Sequence, residues 1–569
     1  MMRYGILLVF VFYCLHSDAQ NVSPRVRREL DTKQEVPVLI VMKRKADLSS
    51  VKPAMTKKEK AQLVFHLLCQ EASQSQQNIS QLLHSLQVPF HNFYIINAIA
   101  ARINQQQLTY ILQHPEVGEI LLDETISLEP TQDRSVINLQ ARGPVLTWGL
   151  ERIEADKVWQ MGFEGQGVTV AGEDTGYKWD LEGIKEKYRG YQSGNNVDHN
   201  YNWHDAIHTW SHLSPDSTGN RCGYNLRQPC DDNDHGTHTM GTMVGSAATD
   251  AYGVAPRANW IGCRNMERGN GALSTYVECF EFFLAPTDLD NKNPKPELAP
   301  SVINNSWYCA LEEGCDASNF AIMEEVVDHL TMSGVVVVVS AGNSGQSCGN
   351  INAPAAIYES SFVVGAFAPD DQISGFSSSG PVLNYKTHRI KPDVAAPGSQ
   401  VISRIPSGDL VAWNGTSMAG PHVAGLVALV INANPSLDGQ VDKIKDIIER
   451  AARPADANID CPPFAMNTVP NHVYGYGKIM ASRAVQMAIL LGNQDQSTSS
   501  LEIYPNPASS ELLILNADKN DAFVVTDLYG KNQACPRKND NTIDISMLTQ
   551  GVYIISNPVR HLEKRFIKL

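Results

Sequence analysis

Five consecutive valines at residues 335–339 constrain the fold of this chain more than any other feature of the sequence. β-Branched residues favour strands, and a strand that is apolar at every position fits a place buried on both faces. Such strands are typical of parallel sheets in α/β proteins, where helices cover both faces. A loop of small residues follows at Ser340, Ala341 and Gly342. The sequence therefore predicts a central parallel strand.

Ser417 lies where a second element, a helix, is predicted to begin. A glycine-led turn at residues 414–417 precedes an apolar stretch that runs to Ile431. Such a turn exposes the hydroxyl, and the free N–H groups of a first helical turn can bind an oxyanion. Pro421 suits that first turn, where its missing N–H would have no partner. Taken alone, Ser417 fits a nucleophile or a helix-capping serine equally well.

A serine nucleophile needs a general base, and the base needs an acid that orients it. His235 is the candidate base, because a helix of small residues follows it and leaves its imidazole accessible. Asp174 is the candidate acid, at the end of a short β-branched strand, where α/β sheets place catalytic groups. Singly, each also fits an ordinary loop position. The chain order Asp, His, Ser is one of three known for a catalytic triad. His238, one turn further, is expected to pack inside.

Asn343 directly follows the small-residue loop after the valine strand. Its side-chain amide can donate to the oxyanion that develops during acyl transfer, alongside the backbone N–H of Ser417. The sequence thus supplies all four parts of a serine-hydrolase site.

These segments together resemble the subtilisin-like serine proteases, over about residues 148–487 and including the motifs at residues 253–256 and 391–398. The resemblance implies an α/β fold with a subtilisin-like parallel sheet. It also implies the following roles: Asp174 as orienting acid, His235 as general base, Ser417 as nucleophile and Asn343 as oxyanion donor.

The same resemblance implies a substrate-binding strand at residues 304–308, which would pair with extended peptide by β-augmentation. Family members usually carry small residues after the serine of this strand, whereas Trp307 and Tyr308 are bulky. The residues expected to bind substrate are Ser306, Trp307, Tyr308, Ser340, Ala341 and Gly342.

Two competing motifs point to other chemistry. Residues 345–349 match the nucleophile elbow of α/β-hydrolases, but that motif requires a helix directly after the serine, and residues 350–354 are a poor helix start. Ser347 is therefore a weak alternative to Ser417. Around Ser417 itself, Ala419 stands where the elbow needs glycine, which argues against a lipase.

Histidines at positions 204, 208 and 212 recur every four residues. On a helix, this spacing would place three imidazoles on one face, as a zinc site requires. Two tryptophans interrupt the run and a proline at residue 215 ends it, so a surface insert is favoured over a metal site. The resemblance allows a structural calcium ion that the sequence does not place, and the predicted chemistry requires no cofactor.

Composition and cysteine usage indicate an exported protein. The chain has 569 residues and a net charge of −15, which argues against nucleic acid as a partner, and no long apolar span follows the N-terminus. Residues 1–19 are typical of a secretory signal peptide. Eight of the eleven cysteines lie in the protease-like region, which predicts disulfides, with scattered buried thiols as the alternative. Two close pairs are predicted as loop staples: Cys222 with Cys230, and Cys309 with Cys315.

Two smaller regions flank the protease-like one. Alternating strands and helices at residues 20–145 predict a small α+β module and resemble a subtilase propeptide, which would template folding and then block the cleft. Beyond a polar linker at residues 493–500, short strands predict a small β-sandwich. Its motifs at residues 504–508, 527–530, 551–553 and 568–569 resemble those of the C-terminal sorting domain of type IX secretion substrates, with a carbohydrate- or protein-binding module as the alternative.

The sequence therefore predicts a secreted or cell-surface serine endopeptidase that passes through the periplasm of a Gram-negative bacterium. Its expected partners are protein or peptide substrates, its own propeptide and the type IX secretion machinery. A catalytically silent surface-binding protein with the same fold is the competing hypothesis. The predicted boundaries are 1–19 for the signal peptide, 20–145 for the propeptide and connector, 146–492 for the catalytic domain, 493–500 for the linker and 501–569 for the sorting domain.

Overall fold

The structure is a computed structural model that describes residues 22–123, 125–127, 132–136, 145–209, 218–247, 250–307, 317–457, 459–462, 468–495, 501–515, 517, 521–527, 530–558 and 562–569. The predicted signal peptide lies outside these residues, as does most of the predicted linker. The chain divides into two compact units, Met1–Gln486 and Met487–Leu569. Strands are numbered β1–β28 and helices α1–α12 in chain order.

Seven parallel strands form the main sheet of the first unit, in agreement with the predicted α/β class. In spatial order they are β11 (Trp203–Asp205), β13 (Asn259–Arg264), β8 (Thr169–Asp174), β15 (Val302–Asn305), β16 (Val336–Ser340), β17 (Phe362–Phe367) and β18 (Val394–Pro397). Four of the five valines lie in β16, near the centre of the sheet, and Val335 directly precedes it; all five side chains are fully buried. The prediction of a central strand covered on both faces is confirmed.

Eight helices are described between Trp148 and Asp495. They are α5 (Trp148–Arg152), α6 (Ala155–Gln160), α7 (His235–Val244), α8 (Leu273–Leu284), α9 (Ala317–Met332), α10 (Thr416–Ala433), α11 (Val441–Ala451) and α12 (Ala481–Asp495). Helices α7 and α10 pack against each other and against the sheet, and so do α8 and α9. Among the described residues, only α10 is long and apolar enough to cross a membrane, but 89% of it is buried, as expected of a core helix.

Short strands lie around the main sheet. They are β5 (Thr125–Ser127), β6 (Gln132–Val136), β7 (Val145–Leu146), β9 (Tyr191–Ser193), β10 (Asn196–Val197), β12 (Asp250–Ala251), β14 (Asn270–Ala272), β19 (Val401–Arg404) and β20 (Leu410–Asn414). Two of the pairings involve the N-terminal region: β5 pairs with β14, and β6 pairs with β20.

The N-terminal region is an antiparallel sheet with helices, as predicted. Its elements are α1 (Pro24–Leu30), β1 (Val36–Met42), α2 (Lys57–Ser75), α3 (Gln77–Ser85), β2 (Phe90–Phe93), β3 (Ala98–Ile103), α4 (Gln105–Ile111) and β4 (Val117–Leu122), with strand order β2-β3-β1-β4. A turn separates β2 from β3 in this sheet. Residues 94–97 form a turn, in which Asn97 has a φ of 47° and its side chain bonds to Arg44 and Ser75.

That turn contacts helices α8 and α9. The carboxylate of Glu281 accepts hydrogen bonds from the backbone N–H groups of Tyr94 (2.5 Å) and Ile95 (2.9 Å), and Nδ1 of His329 lies 2.5 Å from the carbonyl oxygen of Ile95. At the end of β4, Asp123 accepts bonds from the backbone N–H and the hydroxyl of Ser274, at the start of α8. Polar and main-chain groups thus fix the N-terminal module on the larger domain.

The second unit contains two four-stranded antiparallel sheets around one apolar cluster, in agreement with the predicted β-sandwich. One sheet comprises β21 (Ile503–Tyr504), β22 (Glu511–Ile514), β26 (Thr542–Asp544) and β25 (Arg537–Asn539), in that order. The other comprises β24 (Asn532–Gln533), β23 (Val524–Asp527), β27 (Gly551–Asn557) and β28 (Leu562–Lys568).

Three disulfides join described cysteines: Cys222–Cys230, Cys263–Cys279 and Cys348–Cys461. The predicted Cys222–Cys230 staple is confirmed, and the alternative of scattered thiols is wrong for these six residues. The predicted pair of Cys309 and Cys315 lies outside the described residues.

Candidate active site

Asp174 and His235 form a buried carboxylate–imidazole pair. Asp174 ends strand β8 and His235 begins helix α7, so the ends of two elements place the side chains together. Nδ1 of His235 lies 2.8 Å from Oδ1 and 3.0 Å from Oδ2 of Asp174. The backbone N–H of Thr175 (2.7 Å) and the hydroxyl of Thr239 (3.3 Å) also donate to this carboxylate. A carboxylate facing Nδ1 holds the proton on that nitrogen and leaves Nε2 as the basic atom.

The basic atom of His235 has no hydrogen-bond partner among the described residues, although it is buried. The imidazole stacks on Trp413, with ring centroids 6.3 Å apart. Trp413 belongs to β20, the strand that leads into helix α10 four residues before Ser417. The same indole stacks on His238 at 4.6 Å, and His238 is fully buried, as predicted. Trp413 therefore connects the histidine helix with the serine turn.

Ser417 is the second residue of α10, and its hydroxyl donates to the carbonyl oxygen of Ser306 at 3.3 Å. In return, the hydroxyl of Ser306 donates to the carbonyl oxygen of Ser417 at 3.0 Å. The predicted place of Pro421 in the first helical turn is wrong, because it is the sixth residue of the helix. A proline there cannot donate to the carbonyl four residues earlier, which is that of Ser417. Ser306 takes the place of the missing donor.

Asn343 lies next to the same helix start. Its Oδ1 accepts hydrogen bonds from the backbone N–H (2.9 Å) and the hydroxyl (3.0 Å) of Thr416. With the oxygen engaged in this way, the amide nitrogen is the group of Asn343 that can donate. Asn343 is thus fixed at Thr416, the residue that directly precedes Ser417 in the chain.

The residues predicted to bind substrate lie in different surroundings. The N–H of Ala341 donates to Val364, the N–H of Gly342 donates to the Thr416 hydroxyl, and the hydroxyl of Ser340 is buried without a partner among the described residues. Trp307 is 2% exposed. Tyr308 lies outside the described residues. Substrate binding by this set stays a prediction.

The indole of Trp307 packs inside the domain. Its Nε1 donates to Oε1 of Glu173 at 2.8 Å, and its ring contacts Tyr276 edge-on at a centroid distance of 4.3 Å. Burial raises the pKa of Glu173 well above its ordinary value. This pairing is not readable from the sequence, because Glu173 and Trp307 are 134 residues apart.

Three further buried groups have pKa values that burial shifts. Burial lowers the pKa of His238 to about 3 and that of His422 to about 4, so both are neutral imidazoles at physiological pH. Burial raises the pKa of Asp231 to about 6. The sequence did not indicate Asp231 or Thr175 as parts of the site, and it predicted substrate binding for Ser306 instead of the contact with Ser417. Asp231 lies in an acid-rich run before His235, in which no pattern distinguishes one carboxylate from the next.

The nucleophile elbow and the zinc site, which compete with the triad in the sequence, differ in structure from what those motifs require. No helix follows Ser347 before β17, so the nucleophile elbow is wrong. His204 lies on the edge strand β11, and the helical spacing assumed for zinc does not exist there. His204 and His208 both contact the carboxylate of Glu278, at 2.7 Å and 3.1 Å, whereas His212 lies outside the described residues. Within the described ranges, no group of three or more His, Cys, Asp or Glu side chains could hold a metal ion.

A parallel α/β sheet with an Asp–His pair at the end of one strand, and a serine that opens a helix packed on the same sheet, is typical of serine hydrolases with the Asp, His, Ser order. Residues 165–477 match the Subtilase family, and residues 502–567 match the Secretion system C-terminal sorting domain. The chain belongs to the subtilase family. Its sorting domain indicates a secreted or cell-surface protein.

Individual relatives agree with this assignment. Bacillopeptidase F of Bacillus subtilis (strain 168) is 32% identical over 498 residues, which cover 82% of this chain and 32% of the relative. Alkaline serine exoprotease A of Vibrio alginolyticus is 27% identical, over 66% of this chain and 60% of the relative. Serine protease AprX of Bacillus subtilis (strain 168) is 29% identical, over 49% of this chain and 65% of the relative. The chain thus spans about a third of the first relative and less than two thirds of the other two.

Proposed function

We propose that this protein is an exported serine endopeptidase that hydrolyses peptide bonds through an acyl-enzyme on Ser417. The observation that carries the proposal is the buried contact of His235 Nδ1 with Asp174, 2.8 Å long, which leaves Nε2 unpartnered among the described residues. A buried imidazole nitrogen without a partner costs free energy in the resting protein. When Ser417 attacks a substrate, the proton that its hydroxyl releases would bind to this nitrogen.

In the proposed reaction, Ser417 Oγ leaves the Ser306 carbonyl, turns towards His235 and transfers its proton to Nε2 as it attacks the peptide carbonyl. Asp174 stabilises the resulting imidazolium. The oxyanion accepts hydrogen bonds from the amide of Asn343 and the N–H of Ser417. When the tetrahedral intermediate collapses, the C–N bond breaks, and His235 gives its proton to the leaving amine. Water then hydrolyses the Ser417 ester by the same steps in reverse.

A fluorophosphonate probe tests this function, because it reacts only with an activated serine. We expect the processed protein to be labelled, Ser417→Ala to lose the label and Ser347→Ala to keep it. The measurement is in-gel fluorescence together with mass spectrometry of the labelled peptide. If processed, folded wild-type protein takes up no label, the proposal is contradicted and the catalytically silent surface-binding protein is favoured. The hydrogen bond from the Ser417 hydroxyl to the Ser306 carbonyl oxygen is also compatible with a silent protein.

Replacing Asn343 with alanine removes the proposed oxyanion donor. We expect kcat to fall roughly 10²–10³-fold, the loss measured for such an asparagine in a subtilisin, with little change in KM, because the contact forms mainly in the transition state. Steady-state kinetics on a chromogenic peptide measures both constants.

Asn350→Ala is the matched control for Asn343→Ala. Asn350 is in the same loop, but its amide donates to the carbonyl oxygens of Ser344 and Gly345, away from Ser417. We expect it to keep the kcat of the wild type. An Asn343→Ala variant that loses affinity with an unchanged kcat would show that Asn343 binds the ground state instead.

The N-terminal module is proposed to act as an inhibitory propeptide. Its chain pairs with the larger domain at β5–β14, the strand that leads into α8, and at β6–β20, the strand that leads into Ser417. Gln132 of β6 pairs with Asn414, three residues before Ser417, so this part of the chain lies close to the serine turn. These pairings support self-cleavage between Leu128 and Leu146, with a mature chain that begins shortly before Trp148.

Export is proposed to follow the route of the sorting domain. The signal peptide would direct the chain to the periplasm of a Gram-negative bacterium, and the type IX machinery would read residues 501–569 and release them. The substrates are proposed to be proteins or peptides, and the reaction uses only groups of the chain and water. A structural calcium ion stays a prediction without an assigned position.

A further inference from the structure

Helix α7, which begins with His235, is not capped by the residue that precedes it. Asp234 is the N-cap, with a φ of 77° and no hydrogen bond from its side chain to the helix. Instead, Oδ2 of Asp231 accepts from the backbone N–H (2.9 Å) and the hydroxyl (2.6 Å) of Thr237, the third helical residue. Helix starts need such an acceptor, because their first N–H groups have no partner within the helix.

The other oxygen of Asp231 reaches the Asp174 strand. Oδ1 accepts from the hydroxyl of Thr175 at 2.9 Å, and Thr175 directly follows Asp174. The Thr175 oxygen in turn accepts from the backbone N–H of Gly236 at 3.0 Å, the residue after His235. Through these bonds, the side chains of Asp231 and Thr175 connect the turn after Asp174 with the first residues of helix α7, which follow His235.

The carboxylate of Asp231 has little freedom to move. Besides Thr175 and Thr237, the backbone N–H groups of Asn233 and Asp234 donate to its Oδ1 at 3.0 and 2.9 Å. Asp231 is 3% exposed, and Thr175 is fully buried. A buried carboxylate is tolerated when its oxygens accept hydrogen bonds, and several donors to each oxygen determine its orientation.

The backbones around this connection are in close contact. A Cβ atom on Gly176 would lie 1.8 Å from the carbonyl oxygen of Cys230, and one on Gly236 would lie 2.1 Å from the carbonyl oxygen of Gly176. The same loop is also held by the disulfide Cys222–Cys230 and by a hydrogen bond from Arg221 Nε to the carbonyl oxygen of Asp231. The loop before His235 and the turn after Asp174 are thus packed without space between them.

We propose that Asp231 and Thr175 are positioning residues that set the distance and angle between the Asp174 carboxylate and the His235 imidazole, and thereby aim Nε2 at Ser417. The proposal rests on the proposed function. Neither side chain contacts His235 or Ser417 directly, so both act through the elements that carry the triad. Displacement of a catalytic group by about 1 Å can lower a rate by roughly 10²-fold.

The test compares two substitutions at residue 175. Thr175→Val has the same shape but no hydroxyl, so it removes the bonds to Asp231 and Gly236, whereas Thr175→Ser restores the hydroxyl. We expect Thr175→Val to lower kcat on the order of 10–10²-fold with KM unchanged, and to slow fluorophosphonate labelling of Ser417 by the same factor. Thr175→Ser is expected to recover most of both rates.

Thr242→Val is the matched control. Thr242 is equally buried in α7, but its hydroxyl donates to the carbonyl oxygen of His238, within the same helix. Its kcat is expected to equal that of the wild type, with melting temperatures recorded for every variant. Thr175→Val with an unchanged kcat, or Thr175→Ser that loses as much as Thr175→Val, would overturn the proposal. An unlabelled wild type would instead overturn the proposed function.

Asp231→Asn gives a second, independent measurement. The amide keeps one acceptor oxygen but turns an NH₂ group towards donors, so we expect a loss in kcat at least as large as that of Thr175→Val. Where Asp231→Asn fails to fold, the comparison at residue 175 decides the proposal by itself. A folded Asp231→Asn with the kcat of the wild type would contradict it.

Discussion

Replacing Ser417 with alanine is expected to lower kcat by about 10⁶-fold, the loss measured for a triad serine in a subtilisin, and to leave the protein as a long precursor. Both effects have one cause in the proposed mechanism, because the same hydroxyl attacks the substrate and the chain's own connector. Without it, residues 20–145 should stay attached. Intact-mass spectrometry and N-terminal sequencing of the purified variant measure the processing, and peptide hydrolysis measures kcat.

Ser347→Ala is the matched control, since it removes a hydroxyl from a loop without a triad and should be processed like the wild type. The experiment requires a host without other secreted proteases. If Ser417→Ala made in such a host has the same mature N-terminus as the wild type, the cut is not autocatalytic. The propeptide would then need another enzyme for its removal.

Propeptide release is expected to accelerate as the pH rises, because of Glu281. Burial raises the pKa of this carboxyl to about 8 while the turn at Tyr94 and Ile95 covers it. Once the propeptide leaves, the side chain meets water and its pKa returns towards the ordinary carboxyl range. The stabilisation of the complex is therefore complete below that ordinary range and is lost as the pH rises through about 8. The other titratable groups near Glu281 are Glu278, Cys69 and Tyr94.

The measurement is the half-time of activation of the full-length precursor between pH 5 and 9, with aliquots assayed at one common pH. Wild-type activation should quicken by up to about tenfold per pH unit within this window. Glu281→Gln keeps an oxygen for the two N–H groups but cannot lose a proton, so its activation rate should rise less steeply with pH than that of the wild type. Lys45→Ala removes the ion pair with Glu325, an exposed contact between the same two regions, and should shift the rates without changing their slope. An unchanged slope in Glu281→Gln would contradict the prediction.

The sequence by itself determined the class of fold and the identity of the main candidate residues. The valine run required a strand buried on both faces, because β-branched apolar side chains at every position leave no polar face for water. The segments around Asp174, His235 and Ser417 each join a strand or loop to a turn or helix start, and that pattern is local. Local patterns are readable because backbone conformation depends chiefly on nearby residues.

Only the tertiary structure decided how these residues are held. Asp231 is one of several acids before His235, and its role follows from Thr175, which is 56 residues away. Ser306 donates to the carbonyl oxygen of Ser417, which Pro421 cannot do, and these two serines are 111 residues apart. The buried pair of Glu173 and Trp307 is separated by 134 residues. A polar side chain in an apolar interior needs a partner, but the sequence does not tell which distant group provides it. Composition and periodicity select the sheet and its helices, whereas the hydrogen bonds that orient the catalytic groups depend on which distant loops the folded sheet brings together.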